Sequence, residues 1–223
     1  VRKHIHETKG LRIVYGFGAS QIEGDVIIHV SLTRWEIQKR YRKGLSNFKK
    51  VNPQEDILRK YKRGYFVEWR VADRVKDAIY PKLNYVIDYN DVNTPKMMTK
   101  ALYEAVLETC VHRPFRMVPY FDPGVWGGQW MKEVMHLDPK EANYAWSFDG
   151  VPEENSIMVS FGKHVIELPA QDIVSYRSKE LMGDRVHGRF GKNFPIRFDF
   201  LDTMEGGNLS LQVHPLTEYI QDV

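Results

Sequence analysis

The sequence predicts an α+β protein in two parts, an N-terminal α/β layer over residues 1–112 and an antiparallel β region over residues 113–223. Two observations predict this class. Strand-like and helix-like stretches alternate as far as Cys110, which is typical of βαβ units. After His112, short strand-like stretches follow one another between Pro, Gly, Asp and Asn turns, which is typical of a sandwich or jelly roll.

Three apolar stretches predict the strands of the α/β layer. They are LRIVYGFGAS (11–20), GDVIIHVSL (24–32) and LNYVIDYND (83–91). The first is a short strand that runs into glycines, and the others are rich in β-branched residues. Because helical stretches separate the last two, we expect a parallel pairing.

The helices of this layer are predicted from caps and periodicity. A polar helix over 34–44 ends in glycine, and a second begins with Asn52 as N-cap and Pro53 at its first position. A third has an apolar face at helical spacing within residues 68–80. A fourth covers 94–110, with Thr94 and Pro95 at its start.

Composition excludes several classes of protein. The chain has 223 residues, 43% of them hydrophobic and 27% charged, which predicts a packed core rather than disorder. A net charge of +3 gives no argument for a nucleic-acid partner. The single cysteine, Cys110, fits a reducing compartment, and no apolar run reaches the length of a membrane span. We therefore expect a cytoplasmic protein with no membrane contact; the sequence sets no oligomeric state.

Two features of the first part raise the question of phosphate binding. GFGAS (16–20) lacks the lysine and spacing of a Walker A loop, so a tight turn is favoured over a phosphate cradle. The basic residues between Arg34 and Arg63 suit phosphates, although such a run on a helix is usually a solvated face. The order of these elements up to VID (86–88) resembles the closing half of a nucleoside or nucleotide kinase, which would make this part a kinase-like relic.

The segment DPGVWGGQWMKE (122–133) is a candidate for carbohydrate binding. Its paired glycines allow a close backbone approach. Trp126 or Trp130 can supply a flat apolar wall for a sugar ring. The alternative is a turn with buried tryptophans.

The strongest candidate site is the C-terminal stretch GGNLSLQVHP (206–215). On a strand, its leucines and valine face one way while Ser210, Gln212 and His214 face the other. An amide oxygen and an imidazole nitrogen would then point into one space, as in a metal or polar-ligand site. A lone histidine beside apolar residues is more often structural, so from these residues alone the two interpretations stand about even.

Longer motifs resemble one known family. FPIRFDFLDTMEGGNLSLQVHP (194–215) resembles the type I phosphomannose isomerase motif, in which a strand runs through a short loop into LS-I-Q-V-H-P. VPYFDPGVWGGQW (118–130) resembles the P…WGG entry of the same proteins. The resemblance is closest to a long bacterial version with an α/β segment before the isomerase domain.

This resemblance implies a zinc-dependent cupin that interconverts mannose 6-phosphate and fructose 6-phosphate. Gln212 and His214 correspond to two of the zinc ligands, and Ser210 to a serine near the substrate phosphate. Trp126 is the candidate sugar contact. The remaining ligands, a glutamate and a histidine, are expected on later strands beyond Val223, and no catalytic base is identified. We therefore expect the chain to be a segment of a longer protein, inactive alone.

Departures from the family motif bear on the substrate. Asp199 stands where the family has a lysine, and the loop DTMEGGN (202–208) is longer and more acidic than usual. Substrate specificity is thus open, with a phosphorylated sugar favoured over free mannose. The alternative function is a non-catalytic cupin that senses a sugar phosphate, with a nucleotide on the α/β part.

Overall fold

A computed structural model describes Glu7 and residues 9–221. The α-helices in the described residues are α1 (Arg34–Arg42), α2 (Ile57–Arg63), α3 (Trp69–Ile79), α4 (Lys100–Val111), α5 (Trp130–Val134), α6 (Gln171–Tyr176), α7 (Ser178–Phe190) and α8 (Thr217–Gln221). The strands are β1 (Ile28–Ser31), β2 (Tyr85–Asp88), β3 (Lys96–Thr99), β4 (Tyr120–Asp122), β5 (Trp146–Gly150), β6 (Ser156–Phe161), β7 (His164–Pro169) and β8 (Phe198–Leu201). A π-helical turn, Gly64–Glu68, joins α2 to α3.

These elements form two compact units, and each unit is discontinuous in the sequence. Unit 1 combines Val1–Val118 with Pro152–Pro195, and unit 2 combines Pro119–Val151 with Ile196–Val223. The predicted domain boundary at residue 112 divides the sequence, whereas these units are defined by contacts in space, so the boundary stays a prediction. The mixed α+β class is confirmed.

The larger sheet of unit 1 has the strand order β1-β2-β3. β1 pairs in parallel with β2, as expected for the α/β layer, while β3 pairs with β2 in the antiparallel sense. The prediction of a helix beginning at Thr94 and Pro95 was therefore wrong. Pairing with β2 takes residues 96–99 into the sheet, and α4 begins at Lys100 after an N-cap in which Thr99 accepts the N–H of Leu102.

The second helix also begins later than predicted. Asp56, and not Asn52, is its N-cap, since its carboxylate accepts the N–H of Arg59 at 3.1 Å. The Asn52 side chain is engaged elsewhere: its Oδ1 accepts the N–H of Asn47 and its Nδ2 donates to Asn47 Oδ1, both at 2.9 Å. The Asn52 side chain thus bonds to Asn47 and does not form the N-cap that the sequence predicted.

The predicted strand at 11–20 was wrong. Residues 9–15 form neither helix nor strand, and Leu11 and Tyr15 are each 92% exposed. GFGAS forms a turn: Gly16 and Gly18 have φ of 103° and 97°, and the N–H of Ala19 donates to the carbonyl of Gly16. An apolar run without a hydrogen-bonded neighbour does not become a strand.

One hydrophobic core fills unit 1. Its buried members are Leu83, Val86, Met98, Tyr103, Val106, Leu107, Cys110, Ile157, Ile166, Leu168, Ala170 and Ile173. The first seven precede residue 112 and the others come from the hairpin β6–β7 and helix α6. Two distant stretches of the chain therefore share this core. Burial raises the pKa of the Cys110 thiol.

Unit 2 contains an antiparallel sheet with the strand order β4-β5-β8. Tyr120 stacks on Phe148 across it, with ring centroids 4.6 Å apart. None of the sheets in the described residues closes into a barrel, so the jelly roll stays a prediction. The second half of the chain is also more helical than predicted, because α6 and α7 together extend over most of 171–190.

Candidate functional site

The motif segment that contains the paired glycines forms a tight turn in unit 2. The N–H of Gly127 donates to the carbonyl of Gly124 at 3.0 Å, and Gly128 exchanges backbone hydrogen bonds with Tyr144. The Asn143 side chain accepts the N–H of Gly124 at 3.1 Å. We call residues 124–129 the WGG turn. These bonds fix it against the residues that lead into β5.

The loop after β8 is built directly on the WGG turn. The N–H of Gly128 donates to the carbonyl of Asp202 at 2.8 Å, and the N–H of Gln129 donates to the carbonyl of Met204 at 2.9 Å. Farther along, the N–H of Gly207 donates to the carbonyl of Trp126 at 3.1 Å. The two motif segments, widely separated in the sequence, thus lie side by side. We call this contact the WGG junction.

Two glycines are required at the WGG junction because no space is left for a side chain. A Cβ at Gly128 would collide with the Asp202 carboxylate, and a Cβ at Gly206 would collide with the Trp126 carbonyl. The sequence therefore uses glycine where one backbone lies against another, the role predicted for the paired glycines of the turn.

Trp126, the predicted sugar contact, lies mostly inside unit 2. Its side chain is 8% exposed, and its ring packs edge-on against Trp146 with centroids 4.7 Å apart. Trp130, at the start of α5, is 46% exposed. The turn with a buried tryptophan, which was the alternative interpretation, describes Trp126 in this structure. Its substrate role stays a prediction.

The predicted zinc ligands lie beyond the last anchored residue of the WGG junction. Ser210, Gln212 and His214 are exposed, and residues 207–216 form neither helix nor strand. The strand expected here lacks a pairing partner among the described residues, and a strand gains stability only within a sheet. Because these residues do not form a strand, the alternation of a strand does not place the three side chains on one face.

Gln212 and His214 offer one oxygen and one nitrogen donor, and zinc accepts both types. A catalytic zinc site has three protein ligands, so this pair fits part of such a site. In the part of the chain that the structure describes, no group of three or more His, Cys, Asp or Glu side chains is placed to hold a metal ion. The zinc assignment stays a prediction.

Unit 1 contains a buried ionic cluster that the sequence did not indicate. Lys76 Nζ lies 2.5 Å from Asp172 Oδ1, and the Tyr103 hydroxyl donates to Asp172 Oδ2 at 2.7 Å. Burial, and secondly the nearby Lys76 cation, lower the pKa of His29 to about 3, so this imidazole is neutral at pH 7. Burial, together with the Asp172 charge, raises the pKa of Tyr103 well above its usual range.

The cluster connects α3, α4 and α6. Asp172 contacts both Lys76 and Tyr103 through its two carboxylate oxygens. Lys76 and Asp172 are 96 residues apart, so no motif spacing could have revealed the pair. Its burial and its pairings are those of a structural ion pair. Another buried acid, Glu154, likewise accepts a hydrogen bond from the Tyr61 hydroxyl.

Three of the arginines predicted to suit phosphates, Arg34, Arg40 and Arg63, form ion pairs. Arg34 Nη2 lies 2.6 Å from both carboxylate oxygens of Asp73. Arg40 donates to Glu36 at 2.9 Å and also to the carbonyl of Tyr89. These contacts attach α1 to its neighbours. Arg34 is buried, so the solvated face that was the alternative to phosphate binding does not describe this arginine.

A family model described as a domain of unknown function (DUF8485) matches residues 1–112, just over half of the chain, and the chain therefore belongs to this family. The match covers the β1-β2-β3 sheet and α1–α4 of unit 1. No curated protein matches the chain at a significant level. No solved structure does so either.

A membrane-spanning helix needs about 20 consecutive, predominantly apolar residues. None of the described helices combines the length and the apolar composition that crossing a bilayer demands.

Proposed function

We propose that the chain belongs to a zinc-dependent aldose–ketose isomerase that interconverts mannose 6-phosphate and fructose 6-phosphate. One observation carries the proposal. The two segments that resemble phosphomannose isomerase motifs meet in the WGG junction, where Met131 and Asp202, 71 residues apart, are joined by a hydrogen bond. Motifs that belong to one active site are expected to be neighbours in space.

The residue types present suit this reaction. Isomerisation moves a proton between C2 and C1 through an enediol, and it requires a base and a group that stabilises negative charge on oxygen. Zinc, when bound, supplies that stabilisation as a Lewis acid. Gln212 and His214 would hold the ion, and the Ser210 hydroxyl would donate a hydrogen bond to the sugar phosphate.

The finer fold assignment is part of the same proposal. The antiparallel sheet β4-β5-β8 is the part of unit 2 from which a cupin jelly roll would extend. Phe198 and Phe200 on β8 are each 51% exposed, and a further sheet packed on β8 would bury them. Residues 208–214 would become a strand once a neighbour is present.

The test measures turnover of mannose 6-phosphate to fructose 6-phosphate before and after chelation. It uses the 223-residue chain and, where the coding sequence continues past Val223, the longer polypeptide. A Gln212→Ala/His214→Ala variant is compared with Gln54→Ala/His164→Ala, which removes an exposed glutamine and an exposed histidine from unit 1. We expect turnover in the longer polypeptide that chelation abolishes, that zinc restores and that only the first variant lacks, whereas the 223-residue chain alone should be inactive.

Two outcomes would reject the proposal. One is protein that binds zinc and mannose 6-phosphate without turnover, which leaves the sugar-phosphate sensor. The other is turnover that survives chelation and the Gln212→Ala/His214→Ala change.

A further inference from the structure

Asp202 occupies the centre of the WGG junction. Its side chain is buried, with 3% of the residue exposed. Oδ2 accepts the N–H of Met131 at 2.7 Å, and Oδ1 accepts the N–H of Met204 at 2.9 Å. Its own N–H donates to the carbonyl of Ala145 at 3.0 Å, and its carbonyl accepts the N–H of Gly128 at 2.8 Å. Asp202 therefore forms four hydrogen bonds to backbone groups and connects its own loop to residues 128–131 and to Ala145.

Each side-chain bond has a separate structural effect. Met131 lies in the first turn of α5, where backbone N–H groups have no partner within the helix, so Asp202 caps this helix from a distant part of the sequence. The bond to Met204, two residues on, closes a local turn of the kind that aspartate favours. Because a carboxylate accepts at both oxygens, Asp202 forms both bonds at once.

The segment with the predicted ligands begins at this anchor. After Asp202, the backbone is held by the Gln129 bond to Met204 and the Gly207 bond to Trp126. Ser210 lies three residues beyond Gly207, and the exposed stretch follows. Asp202 is thus the first of three anchors before this stretch leaves the WGG turn.

We propose that Asp202 is a positioning residue, which sets the register of residues 203–214 against the WGG turn and so places Ser210, Gln212 and His214 relative to the substrate. This inference rests on the proposed isomerase function. Asp202 acts through the backbone and is not assigned a contact with substrate or metal.

The test is Asp202→Asn in the polypeptide that is active in the isomerase assay. An amide keeps the size of the side chain but presents N–H to one of the two backbone donors, so one bond is lost. We expect kcat/KM per folded molecule to fall on the order of 10- to 100-fold, as for other displaced active-site segments. Thermal unfolding, with kinetics measured well below the transition, establishes the folded fraction.

The matched control is Asp138→Asn. Asp138 is an exposed carboxylate of unit 2 that also accepts a backbone N–H, from Lys140 at 2.9 Å, but it lies outside the WGG junction. Its change should leave kcat and KM unaltered. If Asp202→Asn does not fold, Gly207→Ala tests the same register from the other end, since its Cβ would lie 3.3 Å from Trp126 Cα.

The outcomes separate this inference from the proposed function. A longer wild-type polypeptide without isomerase activity rejects the function and, with it, the inference. An active wild type with a folded Asp202→Asn variant of unaltered kcat and KM rejects the inference alone. A lower unfolding temperature with unaltered kinetics per folded molecule also rejects the inference alone, because it shows a purely structural role.

Discussion

The two units differ in the contacts that join distant parts of the sequence. In unit 1, buried side chains make the connection: the shared core, the Lys76–Asp172 pair and the stack of Tyr80 on Tyr176, with ring centroids 3.7 Å apart. In unit 2, backbone hydrogen bonds between the WGG turn and residues 202–207 make most of it, together with the Asp202 carboxylate, at positions where only glycine fits. Unit 1 should therefore be sensitive to the loss of atoms, and unit 2 to their addition.

The comparison also bears on the extent of the family domain. The DUF8485 match ends at residue 112, but the core of unit 1 continues into residues 152–195. Glu167, for example, donates its N–H to buried Asp88 at 2.8 Å. The matched region alone would expose the apolar surface that Ile157, Leu168 and Ile173 cover.

The largest expected effect comes from separating the two parts of unit 1. Residues 1–112 expressed alone should show no cooperative unfolding transition, because they would leave one side of the core exposed. Residues 1–118 joined to 152–195 by a short Gly/Ser linker should unfold cooperatively, since the N–H of Val118 already donates to the carbonyl of Ser156. Circular dichroism during urea unfolding is the measurement, and a cooperative transition in 1–112 alone would show that the second stretch is dispensable for the core.

A smaller effect is expected from removing one charge in unit 1. Lys76→Met leaves the buried Asp172 carboxylate without its cation, and loss of one partner of a buried pair costs about 3–5 kcal/mol. Lys179→Met is the control, because the Lys179–Asp184 pair is exposed and such pairs contribute about 0–1 kcal/mol. Urea unfolding of both variants measures the difference, and equal free energies of unfolding would show that side-chain pairing does not hold unit 1 together.

The smallest effect tests the sensitivity of unit 2 to added atoms. Gly206→Ala places a methyl group against the Trp126 carbonyl, and such overpacking costs about 1–3 kcal/mol. Gly188→Ala, in α7 of unit 1, meets no atom within 4 Å and should stabilise the helix by up to about 1 kcal/mol. Thermal unfolding should thus shift in opposite directions for the two alanines; a shared direction would remove the contrast between the units.

Some features could be predicted from neighbouring residues alone. The α+β class, the parallel β1–β2 pair and the existence of α1, α3 and α4 all follow from periodicity and capping. The glycine requirement of the WGG turn was also visible, because paired glycines beside a tryptophan predict a close backbone approach. These signals lie in the order and composition of neighbouring segments, although the pairing of β1 with β2 itself is a contact between distant residues.

Other features depended on partners elsewhere in the chain. Thr94 and Pro95 are a good helix start, yet residues 96–99 joined β2, and LRIVY (11–15) had the composition of a strand but found no neighbour. No spacing rule connects Lys76 with Asp172 or Asp202 with Met131. In the candidate site, the glycines of the WGG turn could be predicted from the local sequence, whereas the contact of this turn with Asp202 could not.

The sequence by itself therefore determined which stretches could be helix, strand or tight turn, and which residue types stand at the end of the chain. Only the tertiary structure decided which strands found partners, which charges were buried together, and that the WGG turn lies against Asp202. The physical reason is that propensity acts over a few residues, while pairing and burial depend on contacts between residues far apart in the chain.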